Sequence, residues 1–199
     1  MSYSDFNLPG VKQAFSLTTF EKVNIFADCP EVECSSLLNE ILAYNVPIAT
    51  ANNSEKARSE MIIAPILIDV RRQFQEQINL FSGVDFSVDA ERGLNGTCDF
   101  IISRSPEVLV ITAPVIIIVE AKKENINSGL GQCIAEMVAA RIFNERQENP
   151  IPIIHGVVTS GTNWRFLKLE NQVVSIDLSE YYLRDIKKIM GIITSAIDR

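Results

Sequence analysis

One histidine, one tryptophan, four cysteines with no Cys-x-x-Cys pair and no long apolar run: the chain is poor in the residues behind several common kinds of site. With His155 alone, a histidine-based metal centre is excluded, and no Asp/His/Ser arrangement surrounds it to suggest a nucleophilic triad. Cys29 and Cys34 with His155 make a poor zinc set at that spacing, and Cys29, Cys34, Cys98 and Cys133 together suit a reducing compartment. GLGQ, residues 129–132, has too few glycines for a dinucleotide fingerprint, and no Gly-Lys-Ser follows any apolar run. Pro65, Pro114 or charge interrupts every apolar stretch well short of the ~20 residues that span a bilayer, and MSYSDFNLPG lacks the regions of a signal peptide, so a cytoplasmic protein without membrane contact is expected. Basic residues are also outnumbered, 18 against 25 acidic, for a net charge of -7. That balance disfavours indiscriminate binding to nucleic acid but leaves room for a local basic rim beside carboxylates that a cation neutralises.

What is present is a core. The 199 residues, 47% hydrophobic and 22% charged, suit a single globular domain over 1–199. Its centre is PVIIIVEAKK, Pro114 to Lys123, where four β-branched residues, Val115 to Ile118, fit a strand covered on both faces. Beyond Val119 the pattern becomes Glu120, Ala121, Lys122, so a carboxylate and an amine share one face about 7 Å apart along the strand. A carboxylate at a strand end can hold a divalent cation, and a lysine two residues on can neutralise a phosphoryl oxygen or orient a water. A second acid is required. CDFIIS, Cys98 to Ser103, reads as the preceding strand and offers Asp99.

The set Asp99, Glu120 and Lys122, followed by Gln132 early in the helix GLGQCIAEMVAAR, resembles the PD-(D/E)XK nuclease superfamily, with Cys98 where the motif's proline would stand. The resemblance implies an α/β fold with a restriction endonuclease-like core, a central mixed β-sheet flanked by helices, and hydrolysis of DNA with Mg²⁺ or Mn²⁺. It implies Asp99, Glu120 and Lys122 as catalytic residues and Asp99 and Glu120 as metal ligands. SEKARSEMIIAPIL is also similar to the first helix of the nuclease domain in type I restriction enzyme motor subunits. That likeness favours Glu55 as a further metal ligand, whereas helix-face reasoning favours Glu60. No helicase motor is present, so such a role needs partner protein subunits; a homodimer is equally open.

Along the chain, residues 1–50 read as an N-terminal helical and strand extension, 51–178 as the core and 179–199 as a C-terminal helix. Ala14 to Val23 suits a strand, and Ser35 to Tyr44 an amphipathic helix that buries Leu37, Leu38, Ile41 and Leu42. ATANNS, Ala49 to Ser54, reads as a loop, with Ser54 capping a helix that runs to about Gln77 and is disturbed at Pro65. Val84 to Ala90 alternates as the first core strand, and Asn95-Gly96 signals the hairpin turn that brings in Asp99. ENINSGLG reads as a flexible loop; Lys123, Asn127, Ser128 and Gln132 around it are candidates for substrate contact. Helix Leu130 to Gln147 and strand Ile151 to Thr159 predict a crossover beside the central strand, followed by a meander from Trp164 to Ile176. Trp164 and Phe166 fit a core face better than a base-stacking platform. Ser179 is the expected cap of the last helix, with a bend at Gly191.

Overall fold

The computed structural model describes residues 1–198. In chain order the helices and strands are α1 (Leu8–Phe15), β1 (Thr18–Lys22), α2 (Ser36–Asn52), α3 (Glu55–Arg58), α4 (Ala64–Phe74), β2 (Asn79–Asp85), β3 (Thr97–Ser103), β4 (Val115–Ala121), α5 (Leu130–Arg146), β5 (Ile153–Thr159), β6 (Asn163–Glu170), β7 (Val173–Asp177), β8 (Tyr181–Tyr182) and α6 (Ile186–Ile197). The sheet runs β1-β7-β6-β5-β4-β3-β2, with β8 added to β6. β4 and β5 are parallel, as are β1 and β7, and the other neighbours are antiparallel, so the sheet is mixed.

All seven residues of β4 are buried, as its run of β-branched side chains requires. One apolar layer joins Val115 and Ile118 to α5 and α1 through Ile134, Val138, Val11 and Phe15. The other joins Ile117, Val119 and Ala121 to α2, α4 and α6 through Leu38, Leu42, Ile66, Leu67, Ile189 and Ile193. Helices thus cover both faces, an α/β architecture. α5 is the crossover between the parallel strands β4 and β5, and Asn144 ties it to the sheet. The Asn144 Oδ1 accepts from the Val115 N–H at 2.7 Å and its Nδ2 donates to the Val115 carbonyl at 2.8 Å. The β3–β4 register shifts at that point, between Ile102 and Ser103, so the side chain stands in for a missing strand partner.

Pro65 does disturb its helix. Residues Ser59–Ile63 widen into a π-helical turn between α3 and α4. A proline has no N–H to offer the carbonyl four residues back; here Asn45 Nδ2 reaches from α2 and donates to the Met61 carbonyl at 3.0 Å. Ser54 caps α3 through the Ala57 N–H, as expected.

Several boundaries differ from the sequence reading. Ala14 and Phe15 end a helix, not a strand, because Asn7 accepts the Gly10 N–H and Pro9 sits in the first turn; the strand begins at Thr18. Residues Ala49–Asn52 continue α2, with Ala49 fully buried and the helix ending only where Asn53 turns left-handed at φ 52°. On α2, Leu38 and Leu42 are buried, while Leu37 is 49% exposed, Ile41 is half-buried, and Tyr44 and Ile48 extend the outward stripe. The first core strand starts at Asn79, and the hairpin reverses at Ala90–Arg92 with Gly93 at φ 79°, so Asn95-Gly96 lies on the returning arm, where the Gly96 carbonyl accepts the Phe86 N–H. ENINSGLG folds into a 3-10 turn, Ile126–Gly129, closed by the Asn125 side chain. Ser179 caps nothing: its hydroxyl bonds Asn24, and α6 starts at Ile186. Gly191 makes no bend but a close approach, since a Cβ there would lie 1.7 Å from the Pro30 carbonyl oxygen. No helix among the described residues is long and apolar enough to cross a membrane.

Candidate functional site

The carboxyl end of β4 gathers the chemistry. Phe100 pairs with Val119 and Ile101 with Ile118, which brings Asp99, the residue before Phe100, to the carboxyl end of β4, where its charge is felt at Glu120. Asp99 also takes part in the ladder: its Oδ2 accepts the Ala121 N–H at 2.8 Å. Just past the strand, the Lys122 N–H donates to the Thr159 carbonyl at 2.8 Å, which fixes the lysine backbone to β5. Its side chain folds back, and Nζ donates to Glu120 Oε1.

From there a chain of hydrogen bonds leads into α5. Lys122 Nζ also donates to Gln132 Oε1 at 3.3 Å, and Gln132 Nε2 donates to Glu136 Oε1 at 3.1 Å. Gly129 leaves room for this path, because a Cβ there would stand 3.0 Å from Lys122 Cε and 2.8 Å from Val158 Cγ1. Glu120 and Glu136 are 1% and 0% exposed, and Oε2 of each has no hydrogen-bond partner among the described residues. Such buried, incompletely satisfied carboxylates are uncommon in a core.

Charge crowding follows from the geometry. Burial, then the charge of Asp99, pushes the Glu120 carboxyl up to about 8, against the pull of Lys122. Burial, then Glu120, drives Glu136 well above the usual carboxylate range. For Lys122 burial opposes the charged form, but Glu120, Glu55 and Asp99 outweigh it and hold the amine above the ordinary lysine range.

A cleft of about 260 Å³ opens at Asp99, lined also by Ala121 of β4, Ser82 and Gly83 of β2, and Glu55, Ser59 and Glu60 of the α3 segment; Glu120 and Lys122 do not line it. Glu55 and Glu60 thus both reach the cleft. The charge of Glu55 is felt at Glu120 and Lys122, whereas Glu60 is paired with Lys56 at 2.9 Å on the outer rim, 60% exposed. Among the described residues no three His, Cys, Asp or Glu side chains converge as a ready-made metal cage. Two carboxylates still suit Mg²⁺, which keeps several waters and commonly takes only one or two protein carboxylates plus substrate oxygens. The unpartnered Glu120 Oε2 next to Asp99 is the observation that fits such an ion.

The four candidates for substrate contact divide. Lys123 is exposed. Asn127 and Ser128 are exposed as well; Asn127 accepts from Arg165 of β6, and the Ser128 hydroxyl donates to the Asn125 carbonyl at 2.6 Å. Gln132 faces Lys122 rather than open solvent. Glu136, one helical turn after Gln132, is not among the residues the sequence singles out. Its signal was a carboxylate four residues after a glutamine amid Cys133, Ile134, Ala135 and Met137, all of which are buried. No family model matches the chain, and no curated protein is similar to it.

Proposed function

We propose that the protein is a divalent-metal-dependent phosphodiesterase of the PD-(D/E)XK type with a restriction endonuclease-like core, acting on DNA. The observation that carries this reading is the crowding of charge where β3 and β4 adjoin: Asp99 acts electrostatically on Glu120, the Lys122 ammonium bonds Glu120, and a cleft opens at Asp99. The reaction adds water across one P–O bond and yields a phosphate monoester and a free hydroxyl.

In this reading Asp99 and Glu120 hold Mg²⁺ or Mn²⁺, with Glu55 near enough to influence the site electrostatically. Bound there, the cation lowers the pKa of a water and offsets phosphoryl charge. Lys122, kept protonated by its acidic surroundings, donates to a non-bridging oxygen as charge develops on phosphorus. Gln132 steadies that ammonium, and exposed Lys123 offers a cation to the flanking backbone. The test is cleavage of supercoiled plasmid with Mg²⁺ or Mn²⁺ by the parent and by Lys122→Ala and Glu120→Ala. Equal rates in parent and variants overturn the assignment.

A second reading, a catalytically inactive nucleic-acid-binding or scaffolding protein, is favoured by one observation. Glu120 is 1% exposed and already carries an ammonium, an arrangement that is self-contained without a metal. Calorimetric titration with Mn²⁺ separates the two: a metal site gives heat that disappears in Asp99→Ala, and an inactive remnant gives none.

A further inference from the structure

The fully buried Glu136 has no part in the chemistry above, yet it ends the hydrogen-bond chain that starts at Glu120. Consider what each member can offer. An ammonium only donates, so the Gln132 group that faces Lys122 has to be the amide oxygen. The amide nitrogen is then directed the other way, and a buried N–H₂ needs an acceptor. Glu136 Oε1 supplies it at 3.1 Å. Oε1 accepts that bond, and Oε2 has no hydrogen-bond partner among the described residues. An apolar side chain at 136 would remove this acceptor and leave the amide free to rotate, with its N–H₂ turned toward Lys122, donor against donor. Gln132 is half-buried, and its amide bonds Lys122 on one side and Glu136 on the other.

We propose that Glu136 is a positioning residue: it fixes the Gln132 amide with its oxygen toward Lys122 and through it holds the ammonium against Glu120. The inference deepens the hydrolytic reading and rests on it for its catalytic consequence, while the geometric part stands by itself. Two variants distinguish acceptor from bulk. Glu136→Gln keeps a carbonyl that can take the amide proton, and Glu136→Met keeps the volume without the acceptor.

The experiment is side-chain NMR of the full chain labelled with ¹⁵N-lysine, with the Lys122 ammonium assigned by its loss in Lys122→Met. Hydrogen exchange of that ammonium should be slow in the parent, where Glu120 and Gln132 both accept from it. It is expected to accelerate about tenfold in Glu136→Met, the factor that loss of one hydrogen bond to a charged group gives, and to stay near the parent rate in Glu136→Gln. An unchanged rate in Glu136→Met overturns the proposal, and so does equal acceleration in both variants. Should Glu136→Met fail to fold, Gln132→Met at the half-buried start of the helix cuts the same link, and an unchanged Lys122 rate there is equally fatal. In the cleavage assay with Mg²⁺ the expected pattern is a kcat lowered about tenfold in Glu136→Met with KM unchanged and kcat restored in Glu136→Gln. A parent that cuts no DNA refutes the hydrolytic reading, while the exchange rates still decide the role of Glu136.

Discussion

Asp177 and Glu120 are both sealed from solvent, at 0% and 1% exposure, and both lie at the end of a strand, yet they are served very differently. Asp177 accepts the N–H groups of Asn24 and Ser179 at 3.0 and 2.8 Å, and the Tyr181 hydroxyl at 2.9 Å. Glu120 receives only Lys122, leaves Oε2 unpartnered and feels the charge of Asp99. The first carboxylate is a fastener: three donors from three places make it worth its desolvation and pin β7, the segment after β1 and β8 together. The second is buried with capacity to spare and with like charge for company, an arrangement that costs stability unless something else supplies positive charge. Burial alone therefore does not say how a carboxylate is served; the number of satisfied lone pairs is what sets Asp177 apart from Glu120.

The sharpest way to break this comparison is through activity. Lys122→Ala and Glu120→Ala should each reduce DNA cleavage about hundredfold or more, the usual result of removing a group that stabilises transition-state charge. Asp177→Ala, provided it is assayed below its melting point, should cleave at the parent rate. Its own effect is on stability: two backbone N–H groups and a tyrosine hydroxyl lose their acceptor, and urea denaturation should show a loss of roughly 3 kcal/mol. A smaller loss would mean that water replaces the carboxylate and that the fastener description is wrong.

A third prediction uses pH. In the unfolded chain the Glu120 carboxyl titrates near its ordinary 4.5, and in the folded protein near about 8. Between those values the folded state keeps a proton that the unfolded state has released, so stability should fall as pH rises from about 4.5 to about 8 and level off above. Glu120→Gln should flatten that slope and be more stable than the parent at pH 9 by on the order of 2 kcal/mol. Mn²⁺ should raise the unfolding midpoint of the parent at pH 8 and leave that of Glu120→Gln where it was. The smallest effect is expected at the cleft's outer rim. Glu60→Ala breaks an exposed pair with Lys56, which should cost under about 0.5 kcal/mol in a denaturation curve and leave cleavage intact, in contrast to any change at Glu120.

Much of this site could be read in advance, and the reason is local. A strand places alternate side chains on one face, so Glu120 and Lys122 had to lie together, and the structure joins them by a hydrogen bond. A helix repeats at four residues, so Gln132 and Glu136 had to share a face, and they too are bonded. What local periodicity could not give was the depth at which a residue sits. Glu136 is fully buried although it lies one turn from half-buried Gln132, whereas Asn127 and Ser128 stay exposed while bonding Arg165 and Asn125. Helix and turn limits failed where a distant contact decided them. Ala49 is helical because α2 packs onto the core, and Gly191 is glycine because Pro30 comes too close for a side chain.

By itself the sequence determined which segments are strands or helices at the centre of the molecule, the mixed order of the sheet around β4, and the pairing of a carboxylate with an amine at its end. Short-range repeat and the demand to bury β-branched side chains suffice for that. Only the tertiary structure decided that the charge of Asp99 reaches Glu120, that Glu55 acts on Glu120 where Glu60 does not, and that Glu136 is sealed at the far end of the same chain of bonds. Those outcomes depend on strand register and helix docking, which bring together residues from 55 to 136 that no local pattern connects.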